Sequence, residues 1–500
     1  MEAWPIANSA DEMYDALMVA GYILESEFSE GWKALVGELG PRAVKKGEAW
    51  LAHERENDAP LELAASRLEV LGPVRESEFD SACLLALESQ GRILRGRFTP
   101  GLGEIEWCDR RLLARIHRYT ISRLRAEIEP VAAGDFLRFL AHWQHVAAED
   151  AVRGTEGVLA IVEQLEGFEL PAIAWEHDVL PARVAGYGAE QLDQLCYGGR
   201  VAWGRLSAGS KAPLKTSPIA LMLRSNLSLP VGGGPGRGSD DSSLTSEAAA
   251  VHEVLAKRGA SFFHEIVAAS GLLPALAERA LAELAGTGLV TADGFAGLRA
   301  LLARQDKRRD LVQAAGRWSL LPIDGSPSID SVARTLLKRY GIVLRSLLPR
   351  ESNLPPWREL VRVYRTLEAR GEIRGGRFVA GFGGEQFAAP DAVGRLRAVR
   401  KSEKTGERVV IGAADPLNLV GILTPESRVP AVHTNRLLLE DGLPIAALEG
   451  GEVRRLAATR LGDEELRSLL ARRSLRHSLQ PHLRMATARE EKALASRTVH

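Results

Sequence analysis

Helical periodicity alternates with short strand-like runs along this chain, and the alternation repeats. Residues 87–103 read LESQGRILRGRFTPGLG and residues 367–383 read LEARGEIRGGRFVAGFG. They are identical at Leu87/Leu367, Glu88/Glu368, Gly91/Gly371, Ile93/Ile373, Gly96/Gly376, Arg97/Arg377, Phe98/Phe378, Gly101/Gly381 and Gly103/Gly383. The same frame fits 195–206 (LCYGGRVAWGRL) and, more weakly, 284–295 (LAGTGLVTADGF) and 17–28 (LMVAGYILESEF). Physically, a helix runs to a glycine that takes the left-handed stop position. The residues after it alternate apolar and polar, as a half-buried strand does. In the two strongest copies a glycine turn and a returning strand with Trp107 or Phe387 follow. Helix, stop, strand, turn and strand make the second half of a winged helix-turn-helix module.

The upstream halves agree. Leu61–Leu71 is amphipathic and is broken by Gly72-Pro73, and Ser261–Ser270, Gly271 and Pro274–Ala285 read as helix, turn and recognition-type helix. Too few residues precede the frame at 17–28 for a whole module, which points to a chain cut from a longer one. Pro230–Ser243 (PVGGGPGRGSDDSS) has nothing to bury and reads as a flexible linker. Short apolar runs punctuated by Asp415-Pro416, Thr424-Pro425 and Asp441-Gly442 predict a small β-barrel or meander.

The expected fold is α+β and mostly helical: tandem winged helix-turn-helix modules, then a small β-barrel and C-terminal helices. The expected domains are a partial winged-helix-like module at 1–60, a winged helix at 61–125 and a winged-helix module with a helical insertion at 126–229. After a flexible linker at 230–244 come winged helices at 245–318 and 319–398, the small β-barrel at 399–450, and helices and a tail at 451–500, frayed from Thr487.

Net charge is −1, but it is unevenly spread. Residues 1–100 carry 10 Lys/Arg against 18 Asp/Glu, whereas residues 301–400 carry 19 against 10. A basic part of this kind suits a polyanion. Cys83, Cys108 and Cys196 have no metal or redox spacing and read as small buried hydrophobes in a reducing cytoplasm. No signal peptide or membrane-spanning run is present, so a cytoplasmic location is expected, with no membrane partner.

Chemical motifs are sparse. The nearest match to a phosphate-binding loop, Gly204–Lys211 (GRLSAGSK), has Ser-Lys where Lys-Ser is required. Of His142, His145 and His177 the first two stand three apart, and no Cys or clustered carboxylate is read as completing a tetrahedral set with them, so no metal is expected. Gln144, next to Trp143, and Asp415, in AADPLNLVG, are weak candidates for base recognition and for glycosidic cleavage. The arginines carry more. Arg95, Arg97, Arg205, Arg374 and Arg377 recur at the wing strand, and Arg358, Arg362 and Arg365 are spaced to share one helix face, with Lys338 and Arg339 on the helix before. Basic residues on a recognition helix and its wing form the backbone-contacting footprint of winged-helix DNA binders.

The stretches EWCDRRLLARIHRYTISRLRAEIEPV, FLRFLAHWQHV, GFELPAIAWEHDVLPARVAGY, PPWRELVRVYRTLEARGEIRGGRFVAGFGGEQF and ADPLNLVGIL resemble the Lhr (large helicase-related) proteins of bacteria. These are superfamily-two helicases that couple ATP hydrolysis to 3′-to-5′ movement on single-stranded DNA. The resemblance implies that this chain corresponds to the region after the ATPase core, with ATP and magnesium belonging only to that absent core and no cofactor in this chain. It implies DNA, single-stranded or duplex, and the helicase core as partners, a role in DNA repair, and kinship to winged-helix DNA glycosylases. Those glycosylases use Gln-x-Gln or Gln-x-Asp, whereas here His145 and Val146 follow Gln144, so no catalytic residue is transferred. The leading expectation is a DNA-binding module of a repair helicase. The alternatives are a glycosylase removing uracil or alkylated bases, and a homo-oligomerisation module.

Overall fold

The computed structural model describes residues 7–20, 22–28, 31–55, 59–126, 128–207, 214–227, 244–303, 316–321 and 328–471. They fall into two compact units, Met1–Leu124 and Arg125–His500. The linker expected at Pro230–Ser243 and the tail from Thr487 lie outside the described residues. The fold is mostly helical α+β.

Five three-stranded antiparallel sheets recur with one topology: the third strand in sequence lies between the first and the second. In the second module Val74–Arg75 and Ile93–Gly96 flank Glu106–Asp109, so Trp107 pairs with both Val74 and Arg95. In the fifth, Ile342–Val343 and Arg374–Gly376 flank Gln386–Ala388, and Phe387 pairs with Val343 and Gly375. Strand side chains alternate between faces, and the central strands of the second, fourth and fifth modules each bury one large aromatic residue, Trp107, Trp318 and Phe387. Helices Ala59–Leu71 and Ser81–Ser89 complete the second module, and Ile329–Tyr340 and Trp357–Ala369 the fifth. Asp80 caps Ser81–Ser89 by accepting from the Ala82 amide, and Ser328 caps Ile329–Tyr340 by accepting from the Ser331 amide.

The N-terminal segment differs from expectation, because its elements are complete. Helix Ala10–Ala20, strand Ile23–Leu24, helix Trp32–Leu39 and the hairpin Ala43–Lys46/Ala49–Ala52 are all present. The repeat frame at 17–28 falls on the turn from the first helix to the first strand, not on the turn into the wing. A leucine, a stop and an isoleucine describe any helix that ends before a strand, so the motif fits either turn. Met13, Leu17, Ile23, Trp32 and Val36 form this module's small core.

In the second unit the third and fourth modules share one core. Trp203, on strand Val201–Gly204, meets Phe295 at 6.3 Å and Trp318 at 6.2 Å edge-on. Its ring nitrogen donates to the Gly294 carbonyl at 3.0 Å. Helix Ala133–Trp143 lies within the range expected for the third module but packs elsewhere. Phe136, Phe139 and Leu140 join Leu336, Tyr340 and Leu396 in the core of the fifth module, and the Arg138 guanidinium donates to the carbonyls of Val399 and Ser402.

The expected barrel is an open sheet. Arg408–Gly412, Arg436–Glu440, Leu443–Glu449 and Glu452–Arg455 form a four-stranded antiparallel meander. Val409, Ile411, Leu437 and Leu439 face the core of the fifth module. Val410, Leu438 and Ala446 face Leu466 and Leu470 of helix Asp463–Ala471. With a helix on one face and a module on the other, the sheet buries both sides without closing. The apolar run Leu417–Leu423 is buried as turns rather than as a strand.

Gly341 joins helix Ile329–Tyr340 to its strand at φ 67, and a Cβ there would lie 2.9 Å from both Phe139 and Trp143. Gly341→Ala therefore combines backbone strain with a clash against rigid rings. A loss of more than about 1 kcal/mol is expected, read as a lower urea midpoint. An unchanged midpoint would show that helix Ala133–Trp143 is not seated there.

Candidate nucleic-acid interface

Helix Trp357–Ala369 buries Leu360, Val361, Tyr364, Leu367 and Glu368. Helical geometry then leaves Arg358, Arg362 and Arg365 on the outward face, and all three are exposed. Arg374 and Arg377, on the following strand and turn, are exposed as well. Arg358, Arg362, Arg374 and Arg377 make no ion pair among the described residues.

The wing is pinned from behind. The buried Gln386 side-chain oxygen accepts from the amides of Phe378 at 2.9 Å and Val379 at 2.8 Å, and its nitrogen donates to the Val379 carbonyl at 2.9 Å. Val131 adds a bridge, donating its amide to the Phe378 carbonyl at 2.8 Å. The equivalent residue of the second module is Glu106, which accepts from the amides of Phe98 at 2.9 Å and Thr99 at 2.7 Å. The Thr99 hydroxyl, and then these amides, hold the Glu106 carboxyl below its usual range. Arg97 and Arg377 each stand one residue before a pinned pair of amides, which limits how far their backbone can move.

The other basic candidates are distributed differently. Arg365 is exposed but pairs with Glu385 at 2.7 Å, and Lys338 pairs with Glu163 at 2.8 Å. Arg95 pairs with Glu88 at 3.4 Å and lies over the Trp107 ring. Two candidates are corrected by burial. Arg205 is 5% exposed and donates to the Gly286 carbonyl at 2.8 Å, where the wing of the third module packs on the fourth. Arg339 is 2% exposed, paired with Glu351 and laid over the Phe168 ring. Neither can reach a phosphate, because each sits in a contact between modules that single-module periodicity does not reveal.

One basic element was missed as a candidate. Helix Arg110–Ala126 carries Arg110, Arg111, Arg115, Arg118, Arg123 and Arg125 and no carboxylate. Arg111, Arg115 and Arg118 are exposed and share the four-then-three spacing of Arg358, Arg362 and Arg365, so the signal was present in the sequence. Arg125 is committed to Glu368 and Glu385.

Comparison with known families bears on both modules described above. Two winged-helix domain models of the large helicase-related proteins match, the third-domain model at residues 131–224 and the fourth-domain model at residues 323–408. The chain is 30% identical over 375 residues to a "Lhr helicase/ probable uracil glycosylase" of Mycolicibacterium smegmatis (strain ATCC 700084 / mc(2)155), covering 68% of this chain and 24% of that protein. It is 31% identical over 378 residues to a "Lhr helicase/uracil glycosylase" of Escherichia coli (strain K12), covering 65% of this chain and 24% of that protein. The chain belongs to the Lhr family. It spans about a quarter of the length of these Lhr relatives.

The two weak candidates for base chemistry meet inside this Lhr region. Asp415 is fully buried and is held by Arg183 through two hydrogen bonds of 2.6 and 2.9 Å. The other face of the guanidinium reaches the Gln144 side-chain oxygen at 3.0 Å, and Gln144 donates in turn to the Arg339 carbonyl at 3.0 Å. Arg350 donates to the carbonyls of Ala414 and Asp415 at 2.7 and 2.8 Å, and burial lowers its pKa. Arg183, absent from the sequence reading, is the hub. This network ties the third module, helix Ala133–Trp143, the fifth module and the segment that joins the first two strands of the terminal sheet. No helix among the described residues of this Lhr chain is long and apolar enough to cross a membrane.

Proposed function

We propose that this chain binds DNA as the accessory region of an Lhr-type helicase, gripping the phosphate backbone while a separate ATP-driven core moves. The observation that carries this reading is the set of four exposed arginines, without an ion pair among the described residues, on the recognition helix and pinned wing of one module. Phosphate contacts of this kind fix register and orientation without reading sequence. Helix Arg110–Ala126 adds a second exposed arginine face within the first unit. We extend the reading to DNA repair and to a core moving 3′ to 5′, for which support is the family resemblance and, for repair, the glycosylase in the relatives' names. The test is fluorescence anisotropy of the whole chain with labelled single-stranded and duplex DNA across a salt series. Binding that weakens steeply with salt is expected; no binding at low salt would overturn the proposal.

Base removal is the second reading, favoured by the meeting of Asp415 and Gln144 at Arg183. In this structure all three side chains are closed to solvent and to one another's exterior, and we assign them to holding the modules together. Abasic product from uracil-containing duplex, lost in Asp415→Asn with the fold intact, would reverse that assignment.

A further inference from the structure

Where helix Ala133–Trp143 ends, the chain turns through Gln144 and His145 and enters a 3-10 turn at Ala148–Asp150. His145 adopts φ 60, and its ring bonds the Asp150 carbonyl at 2.9 Å. This path returns two carboxylates to the preceding helix. The His142 Nδ1 lies 2.8 Å from an Asp150 oxygen and 3.2 Å from a Glu149 oxygen, and the three ligand atoms lie within 4.8 Å of one another. The sequence spacing His-x-x-His suggested no metal set. The turn supplies one by replacing the second histidine with two carboxylates.

The cluster opens on a cleft of 580 Å³ whose lining includes Arg138, His142, Glu149, Glu407 and Asp441. Glu407 is close behind, accepting from the Ala148 amide at 2.7 Å. Arg138 stands one helical turn before His142 and is 6% exposed, and its Nε has no hydrogen-bond partner among the described residues.

We propose that His142, Glu149 and Asp150 form a binding site for a divalent transition-metal ion, with its remaining coordination positions facing the cleft. One imidazole nitrogen with two carboxylate oxygens suits zinc or manganese better than calcium or magnesium, which favour all-oxygen shells. Three protein ligands are too few to close a tetrahedral shell, so the site is of the open rather than the structural type. The two carboxylates crowd one nitrogen, and a divalent ion would balance both.

The test uses the whole chain stripped with EDTA and titrated with zinc or manganese chloride, read by calorimetry and by manganese EPR. One ion per chain with micromolar or tighter affinity is expected. Affinity should fall at least about tenfold in His142→Ala and in Glu149→Gln. Glu149 is 75% exposed, so its variant keeps the fold even if the histidine variant does not. No stoichiometric binding, or binding that survives Glu149→Gln and His142→Ala unchanged, overturns the proposal. In that case the His142–Asp150 contact is a plain hydrogen bond.

Discussion

Replacing Arg183 by Met is expected to destabilise the second unit by about 3–5 kcal/mol, because it leaves the Asp415 carboxylate buried without its partner. Asp415→Asn should cost a comparable amount for the converse reason, a guanidinium stripped of its counter-charge in a site that admits no solvent. Most of that cost belongs to the orphaned charge rather than to the bond. The double variant Arg183→Met/Asp415→Asn should therefore be less destabilised than the two single effects together, by about 0.5–3 kcal/mol. Urea midpoints of the four proteins decide the point. Additive losses would mean that the pair is not coupled and that the modules are held by apolar packing alone. Gln144→Leu should cost less, since it removes one acceptor from Arg183 and one donor to Arg339 while leaving the ion pair in place.

The quadruple change of Arg358, Arg362, Arg374 and Arg377 to Ala is expected to flatten the salt dependence of DNA binding. Each phosphate contact releases counterions and adds about 0.9 to the log–log slope, so four lost contacts reduce it by roughly 3–4. Between 50 and 200 mM salt, a difference of that size changes the affinity ratio of wild type to variant by roughly 100-fold. Arg205→Met provides the contrast. Its guanidinium is spent on the Gly286 carbonyl, so the expected result is lower stability with an unchanged slope. If the Arg205 variant flattened the slope and the quadruple variant did not, the wing of the third module, not the fifth, would be the DNA-contacting surface. The four positions are exposed and make no ion pair among the described residues, so the quadruple variant should keep its urea midpoint within the range usual for surface changes.

The repeat was legible because it is a local pattern. Glycine stops and alternating strand positions depend on neighbours a few residues away, and the five three-stranded sheets share one topology. The same locality explains the misreading at 17–28, where a helix stop before a strand occurs twice in each module. The open sheet was misread as a barrel for a related reason. Alternation shows that both faces of Val409–Ile411 are apolar, but not whether a helix, a module or the sheet's own curvature covers them.

The candidate residues divide along the same line. Arg358, Arg362 and Arg377 lie where helix period and repeat frame put them, exposed on one module. Arg205 and Arg339 have equally good spacing but are buried, because charge and period do not record which faces of two modules meet. Cys108 and Cys196 are buried as their isolation suggested, whereas Cys83 is only half-buried, and Arg183 gave no local signal at all.

By itself, then, the sequence determined the winged modules and the outward arginines of the fifth, since each follows from the period of a single element and the stop that ends it. Only the tertiary structure decided that Arg183 gathers Asp415 from 232 residues away and Gln144 from 39, that Glu149 and Asp150 return to His142, and which arginines remain in water. Those outcomes depend on contacts between surfaces far apart in the chain, and on the need of every buried charge for a partner that no local pattern names.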